Sequence, residues 1–236
     1  MAKEFYPVKL TQIDEYSDTV RNFHFDFIKK PRFDFIPGQF IMVEVPKEGE
    51  KPVRKPYSIA SPPYFKDKIE LCIKLVEGGH VSHWFFGLKE EDEIEVQGPL
   101  GVFKLKDPLP EHLLFVATGT GIAPLRSQFL QLLHEGYDKK ISFIFGNRYE
   151  WEMPFHDELL ALAEKYPNFE YIPTLSRAED WTGEKGYVQE IIKKNFSQAQ
   201  GRAVYICGLV PMVNDLKDCL EGLGYGKEVI HFEKWT

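Results

Sequence analysis

Val116-Ala117-Thr118-Gly119-Thr120-Gly121-Ile122-Ala123-Pro124 leaves an apolar run, turns on two glycines and enters a segment of helical period. Glycine lets a backbone approach a diphosphate closely, and a helix start offers free N–H groups and the positive end of the helix dipole. Pro124 suits a first helical turn, where its missing donor is not needed. The stretch lacks the third glycine of the usual dinucleotide fingerprint, so on its own it also reads as a plain strand, turn and helix. The rhythm on either side of it decides the fold class.

Downstream of Pro108 and Pro110, short apolar runs (Leu113 to Ala117, Ile141 to Phe145, Ala203 to Cys207) alternate with helical stretches. Ile122, Leu125, Phe129 and Leu132 mark one such stretch, and Met212, Val213, Leu216, Leu220 and Leu223 another. Strand-helix alternation predicts a parallel sheet covered on both faces. Upstream, from Glu4 to about Gly101, the period is near two: Phe23, Phe25 and Phe27 alternate with polar residues, as do Ile69, Leu71, Ile73 and Leu75. Turn-rich pieces at Pro31, Pro37-Gly38, Pro62-Pro63 and Gly78-Gly79 separate these strands, the pattern of a small antiparallel barrel. One helical piece near Val81 to Leu88 interrupts it. The boundary falls between Leu105 and His112, giving expected domains of residues 1–108 and 109–236.

The bulk properties narrow the function classes. With 236 residues, 43% of them hydrophobic, the chain has enough apolar material for two cores. No apolar run approaches the ~18 residues that spanning a bilayer needs. The start Met1-Ala2-Lys3-Glu4 lacks the apolar core of a signal peptide, so a cytoplasmic location is expected. The net charge of −7 is dispersed and no basic stripe occurs, which argues against nucleic acid as a partner. Cys72, Cys207 and Cys219 are widely spaced and odd in number, which suits reduced thiols and leaves no cluster-binding group. His80 and His83 lack cysteine or carboxylate partners in register, so no metal is expected there.

Several motifs resemble, in order and spacing, those of the ferredoxin-NADP reductase family of flavoproteins. Lys55-Pro56-Tyr57-Ser58-Ile59-Ala60-Ser61 is similar to the family's Arg-x-Tyr-Ser segment; Leu71-Cys72-Ile73-Lys74 followed by Gly79-His80-Val81-Ser82 resembles its flavin-diphosphate region. Gly98-Pro99-Leu100-Gly101 resembles the close of its barrel. The glycine turn with Thr120, Gly121 and Pro124, then Phe145-Gly146-Asn147-Arg148, Ser176-Arg177, Cys207-Gly208 and Glu233-Lys234-Trp235, follow in the family's order. The resemblance implies two domains, an antiparallel Greek-key β-barrel that binds FAD and a doubly wound parallel sheet, with helices on both faces, that binds the nicotinamide cofactor.

It also implies roles. Tyr57 would give the isoalloxazine an aromatic face and Ser58 a hydroxyl near its N5; Cys72, Ile73 and Lys74 would line the flavin; Gly79, His80, Val81 and Ser82 would take the diphosphate on backbone N–H groups. Lys55 stands where the family has arginine and cannot reproduce a bidentate grip. Cys207 with Gly208 would sit beside the nicotinamide C4, Glu233 would tune the site with Ser58 and Cys207, and Trp235 would cover the flavin, with Phe232 in reserve. Thr236 extends one residue past the common terminus. Read without the resemblance, Tyr57 is an ordinary core aromatic, Cys72 and Lys74 are the less apolar face of a strand, and Cys207 is a small buried hydrophobe at the carboxyl edge of a sheet.

For the donor, Ser176 and Arg177 with Lys185 and Tyr187 form a candidate 2′-phosphate pocket alongside Asn147 and Arg148, which points to NADPH. Trp181-x-Gly183-x-x-Gly186-Tyr187-Val188 also resembles NADH-using oxygenase reductases. The implied function is an FAD-dependent NAD(P)H oxidoreductase, a monomer, serving a ferredoxin, flavodoxin or another redox acceptor. The alternatives are an NADH-dependent reductase component, a free flavin or cytochrome reductase, or an electron-transfer subunit of a larger complex. Lys29, Lys30, Arg32, Lys51, Arg54, Lys66 and Lys68 make the first domain the expected docking place for an acidic acceptor.

Overall fold

The computed structural model describes residues 5–29 and 32–235; Met1 to Glu4, Lys30, Pro31 and Thr236 lie outside the described residues. Six strands make the first sheet: β1 (Phe5–Ser17), β2 (Val20–Phe27), β3 (Phe40–Val45), β4 (Val53–Ser58), β5 (Lys68–Lys74) and β6 (Glu93–Leu100). Their order is β4-β3-β6-β1-β2-β5, and every pairing is antiparallel. The two ends of that order meet just past β4, where Ala60 N–H donates to the Glu70 carbonyl (2.8 Å) and Glu70 N–H to the Ser61 hydroxyl (3.1 Å). The sheet thus closes as the expected Greek-key barrel. Alternation fills its interior with Leu10, Phe23, Phe25, Ile41, Val43, Ile69, Leu71 and Val96. Helix α1 (His80–Gly87) adds Phe85, fully buried, to the same core.

The second sheet comprises β7 (His112–Thr118), β8 (Lys140–Asn147), β9 (Phe169–Leu175), β10 (Glu184–Lys185), β11 (Arg202–Leu209) and β12 (Ile230–Trp235), in the order β10-β9-β8-β7-β11-β12 and parallel throughout. Helices α2 (Ile122–His134) and α3 (His156–Lys165) cover one face, where Phe115, Phe129, Phe143 and Tyr205 pack. Helices α4 (Val188–Asn195) and α5 (Val210–Gly222) cover the other, over Val116, Ile144, Ile206 and Leu216. Burial on both faces is why Leu113 to Ala117 reads as an unbroken apolar run. The sheet is the doubly wound one expected. Only the two-residue β10 carries no period of its own.

The halves share a core. Val20, Ala60 and Cys72 of the barrel join the cluster built on α2. Strict alternation along β5 makes Glu70 and Cys72 its less apolar face, yet both are buried, because α2 lies across that face. The connection between the sheets is pinned as well: the Gln128 side-chain amide donates to the Phe103 carbonyl (2.9 Å), and Lys106 N–H to the Tyr205 hydroxyl (2.8 Å).

Candidate active site at the switch point

Strands β8 and β11 flank β7, so the chain crosses over in opposite directions on its two sides. The crevice at their carboxyl ends is where open parallel sheets bind ligands. Here the chain leaves β7 at Thr118 and passes through Gly119 to Gly121 into α2, facing Cys207 and Gly208 at the end of β11. The turn fits that strand end closely. A Cβ on Gly121 would lie 2.3 Å from the Cys207 carbonyl oxygen, and one on Gly208 2.6 Å from the Thr118 hydroxyl. Gly119, by contrast, has a positive φ of 53° and faces open space. Thr120 stands in that same turn, half-buried, and Pro124 is buried in the first turn of α2.

Strand register brings the distant carboxylate in. Cys207 pairs with Ala117 on one side and with Glu233 on the other. Burial pushes the Glu233 carboxyl up to about 7, an effect partly offset by hydrogen bonding with the Ser58 hydroxyl at the end of β4. Ser58, Cys207 and Glu233, far apart in the sequence, therefore meet where the two sheets face each other. Cys207 is wholly inaccessible, and burial together with the Glu233 charge raises its thiol well above the ordinary range. It stays a neutral thiol, a packing and positioning group rather than a nucleophile.

On β12, Glu233 and Trp235 share one side and Phe232 takes the other, as alternation requires. Trp235 packs at the edge of the α2-side cluster. The Phe232 ring instead lies beneath the Lys217 ammonium, 4.1 Å from the ring centre. Phe232 and Trp235 therefore lie on opposite sides of the strand. A cavity of about 350 Å³, bounded in part by Phe40, Phe103, Lys104, His231 and Glu233, opens beside the carboxylate.

In the barrel, Tyr57 packs edge-on against Phe85 of α1, with ring centres 4.9 Å apart. Lys55 lies two residues back on the same strand face and is exposed; Arg54, on the opposite face, is held by Glu44 (2.6 Å). Lys55, which the resemblance aligns with the family's arginine, therefore lies on the strand face that carries Tyr57. That helix begins after Gly79 with no side-chain cap, so the first-turn N–H groups of His80, Val81 and Ser82 have no acceptor within the helix. The rings of His80 and His83 sit on the backbone carbonyls of Pro46 (2.8 Å) and Gly79 (2.9 Å). Ile73 points into the barrel core, Cys72 toward α2, and Lys74 is half-buried at the strand end.

The candidate phosphate pocket is assembled by backbone bonds. Ser176 N–H donates to the Asn147 carbonyl, Arg177 N–H to that of Arg148, and Gly186 N–H to that of Leu175, each at 3.0 Å. Ser176, Arg177, Lys185 and Tyr187 are thereby neighbours at the carboxyl ends of β9 and β10. Two of the cations are engaged: Arg148 pairs with Glu152 (2.6 Å), and the Lys185 ammonium bonds the Glu179 carbonyl (2.6 Å). Arg177 is exposed and has no carboxylate partner among the described residues. A group that sequence reading missed is Glu190, whose carboxylate accepts from Tyr187 N–H (3.2 Å) beside Gly186. The docking patch is weaker than its charge count suggests, because Arg32 and Lys66 are paired with Asp34, and Arg54 with Glu44.

Three buried polar atoms along this crevice have no partner: Thr118 Oγ1, Asn147 Nδ2 and Glu233 Oε2. Buried polar groups in folded proteins are nearly always hydrogen-bonded. With the first turn of α1 and the open glycine turn before α2, they fit a flavin dinucleotide on the barrel side and a nicotinamide dinucleotide on the sheet side. No helix among the described residues is long and apolar enough to cross a membrane.

Comparison with known proteins agrees with this geometry. Residues 7–105 match the oxidoreductase FAD-binding domain and residues 115–218 the oxidoreductase NAD-binding domain. The chain is 33% identical over 240 residues to ferredoxin–NADP reductase B of Sorangium cellulosum, covering 98% of each. It is 33% identical over 217 residues to the reductase component of phenol 2-monooxygenase from a Pseudomonas species, covering 89% of this chain and 60% of that protein. Its fold superposes with a TM-score of 0.86 on a ferredoxin NADP+ reductase from Neisseria gonorrhoeae with bound FAD and NADP, at 24% identity and 99% coverage of both chains.

Proposed function

The chain belongs to the ferredoxin-NADP reductase family of flavoproteins, an FAD- and NAD(P)-dependent oxidoreductase, and on that premise we propose that it takes its electrons from NADPH and delivers them to a ferredoxin- or flavodoxin-type acceptor in the cytoplasm. The convergence of Ser58, Cys207 and Glu233 carries this reading, since it needs both halves of the chain at once. FAD, when bound, supplies the chemistry, accepting two electrons from the nicotinamide and releasing them singly. The protein holds and orients. We assign the flavin to residues 1–108 and the nicotinamide cofactor to residues 109–236.

On this reading Tyr57 presents a ring face to the isoalloxazine and Ser58 a hydroxyl to its N5 edge. Lys55 and the bare N–H groups of His80, Val81 and Ser82 hold the diphosphate, and Cys72, Ile73 and Lys74 form the wall of β5 behind it. The turn at Thr120, Gly121 and Pro124 receives the nicotinamide dinucleotide, with Cys207 and Gly208 walling the nicotinamide pocket. Trp235 covers the flavin face until the nicotinamide displaces it. Glu233, which titrates near neutrality, holds a proton that Ser58 can relay through its hydroxyl. The rim of the cavity beside Glu233 is the better docking place for an acidic acceptor: Val102 is 85% exposed there, and Lys104 and Lys106 have no carboxylate partner among the described residues.

The test is an anaerobic titration followed by absorbance, first with NADPH and then with NADH, on protein whose released flavin is identified by chromatography. FAD and bleaching by NADPH at the lower concentration are expected. FMN alone would sink the reading. NADH has one specific feature in its favour, the Glu190 carboxylate beside Gly186, which would accept from a ribose hydroxyl and repel a phosphate. Arg177→Ala separates the two donors. A lost charge-assisted partner of ~1.5 to 3 kcal/mol corresponds to a rise of about ten- to a hundredfold in the NADPH Michaelis constant, with that for NADH little changed. Equal effects would transfer the chain to NADH.

A further inference from the structure

Arg126 lies in α2, five residues past Gly121, and its guanidinium is almost wholly buried between the two halves of the molecule. It serves acceptors from three elements. Nη1 donates to the Ala60 carbonyl (2.9 Å) and to Glu70 Oε2 (2.8 Å) of the barrel, while Nε and Nη2 grip both oxygens of Glu158 in α3 (2.7 and 2.9 Å). The Phe155 ring stacks on it at 4.2 Å. Ala60 and Glu70 are also the residues whose backbones close the barrel, and Ala60 stands two residues beyond Ser58. One planar cation therefore joins the strand that carries Tyr57 and Ser58 to the helix whose first turn faces Cys207.

A buried charge is costly, and well-packed apolar residues would bind the halves at least as well. What a guanidinium adds is direction: its donors lie in one rigid plane and fix distance and angle together. Gln128, two residues further along α2, supplies a second fixed point through the Phe103 carbonyl, over which Gly38 packs so closely that a Cβ there would overlap it. Transfer between two bound rings is sensitive to such placement, a misfit of about 1 Å costing on the order of a hundredfold.

We propose that Arg126 is a positioning residue for the transfer between nicotinamide and flavin, setting the gap between the two cofactor-bearing elements while touching neither cofactor. The proposal rests on the functional reading above. Its test uses the full chain with Arg126→Lys, which keeps the charge but loses the fork, with Arg126→Met, which keeps only the length, and with Glu158→Gln, which weakens the grip from α3. At saturating nicotinamide, single-turnover bleaching of the flavin should slow by at least about tenfold in Arg126→Met and by less in Arg126→Lys. Flavin content and the nicotinamide dissociation constant, whose main contacts Arg126 does not make, should stay within about twofold of the parent. In the flavin-loaded full chain, amide hydrogen exchange at residues 58–61 should quicken in all three variants.

A lowered melting temperature with the parental bleaching rate would make Arg126 a packing residue and overturn the proposal. If Arg126→Met does not fold or loses its flavin, the other two variants decide, and the parental rate in both would overturn it equally. Failure of the parent to bleach with either nicotinamide would refute the functional reading instead. Unchanged exchange at residues 58–61 would then dispose of the positioning role on its own.

Discussion

Trp235→Ser is expected to bind oxidised nicotinamide cofactor about tenfold more tightly than the parent while turning over more slowly. The ring shares the side of β12 that carries Glu233 and packs at the edge of the α2-side cluster, and on the proposed reading it covers the flavin face. On that reading a nicotinamide entering there would displace it, giving up an aromatic contact of ~0.5 to 1.5 kcal/mol. Removing the competitor returns that energy to the ligand, and about 1.4 kcal/mol is tenfold in affinity. Turnover falls because product then leaves slowly. Difference spectra during titration give the affinity, and a stronger charge-transfer band should accompany it. Damage to packing would act in the opposite sense, lowering flavin content and melting temperature with affinity unchanged or weaker. Phe232→Ser is the matched control. Its ring lies on the other face of the strand under Lys217, so affinity and spectrum should match the parent.

Gly121→Ala should be strongly damaging although it adds a single methyl. The backbone at Gly121 is ordinary right-handed helix (φ −60°, ψ −14°), so no conformational penalty arises. The clash is purely spatial: the new Cβ would sit 2.3 Å from the Cys207 oxygen and 2.8 Å from its carbonyl carbon, both backbone atoms that no rotamer change can move. Overpacking of this kind costs typically ~1 to 3 kcal/mol and sometimes more. Here it also pushes apart the two strand ends that form the nicotinamide crevice. A melting temperature lowered by several degrees and loss of flavin bleaching are expected together. Gly119→Ala makes the comparison, since the space before it is open and only its left-handed conformation resists, at ~1 to 2 kcal/mol. Were Gly119→Ala the more harmful of the two, the close fit of the turn against β11 would not be what fixes the site.

The periodicities of the chain were enough for the architecture because each half buries its strands differently. A barrel strand such as β5 has one face toward its own core and so alternates, whereas β7 is covered on both sides and does not. Where alternation misled, the cause was long-range: Glu70 and Cys72 look like a wet face until α2 is laid across them, and no local pattern announces that. Arg126 was passed over for the same reason, since an arginine in an amphipathic helix ordinarily marks the solvent side. That Trp235 and Phe232 lie on opposite sides of β12, however, was available in the sequence. Residues an odd number apart on a strand cannot share a face, and Glu233 is an even number from Trp235 alone. Glu190 was hidden by a different effect, because only the folding of the chain at Gly186 brings its carboxylate back over the preceding turn. The lysines and arginines of the barrel illustrate the limit of counting charge, as Asp34 and Glu44 neutralise several of them through contacts that spacing does not reveal.

Helix α1 starts without a side-chain cap. In a helix with no other role that omission costs about 1 kcal/mol relative to a serine or aspartate at the same place. A ligand that binds the folded form and not the unfolded chain adds stability with the logarithm of its free concentration. A bare helix start therefore turns cofactor supply into a determinant of protein lifetime. Chains made faster than flavin can load them would spend more time open to proteases, and the amount of enzyme in a cell would follow its vitamin supply without any dedicated regulator.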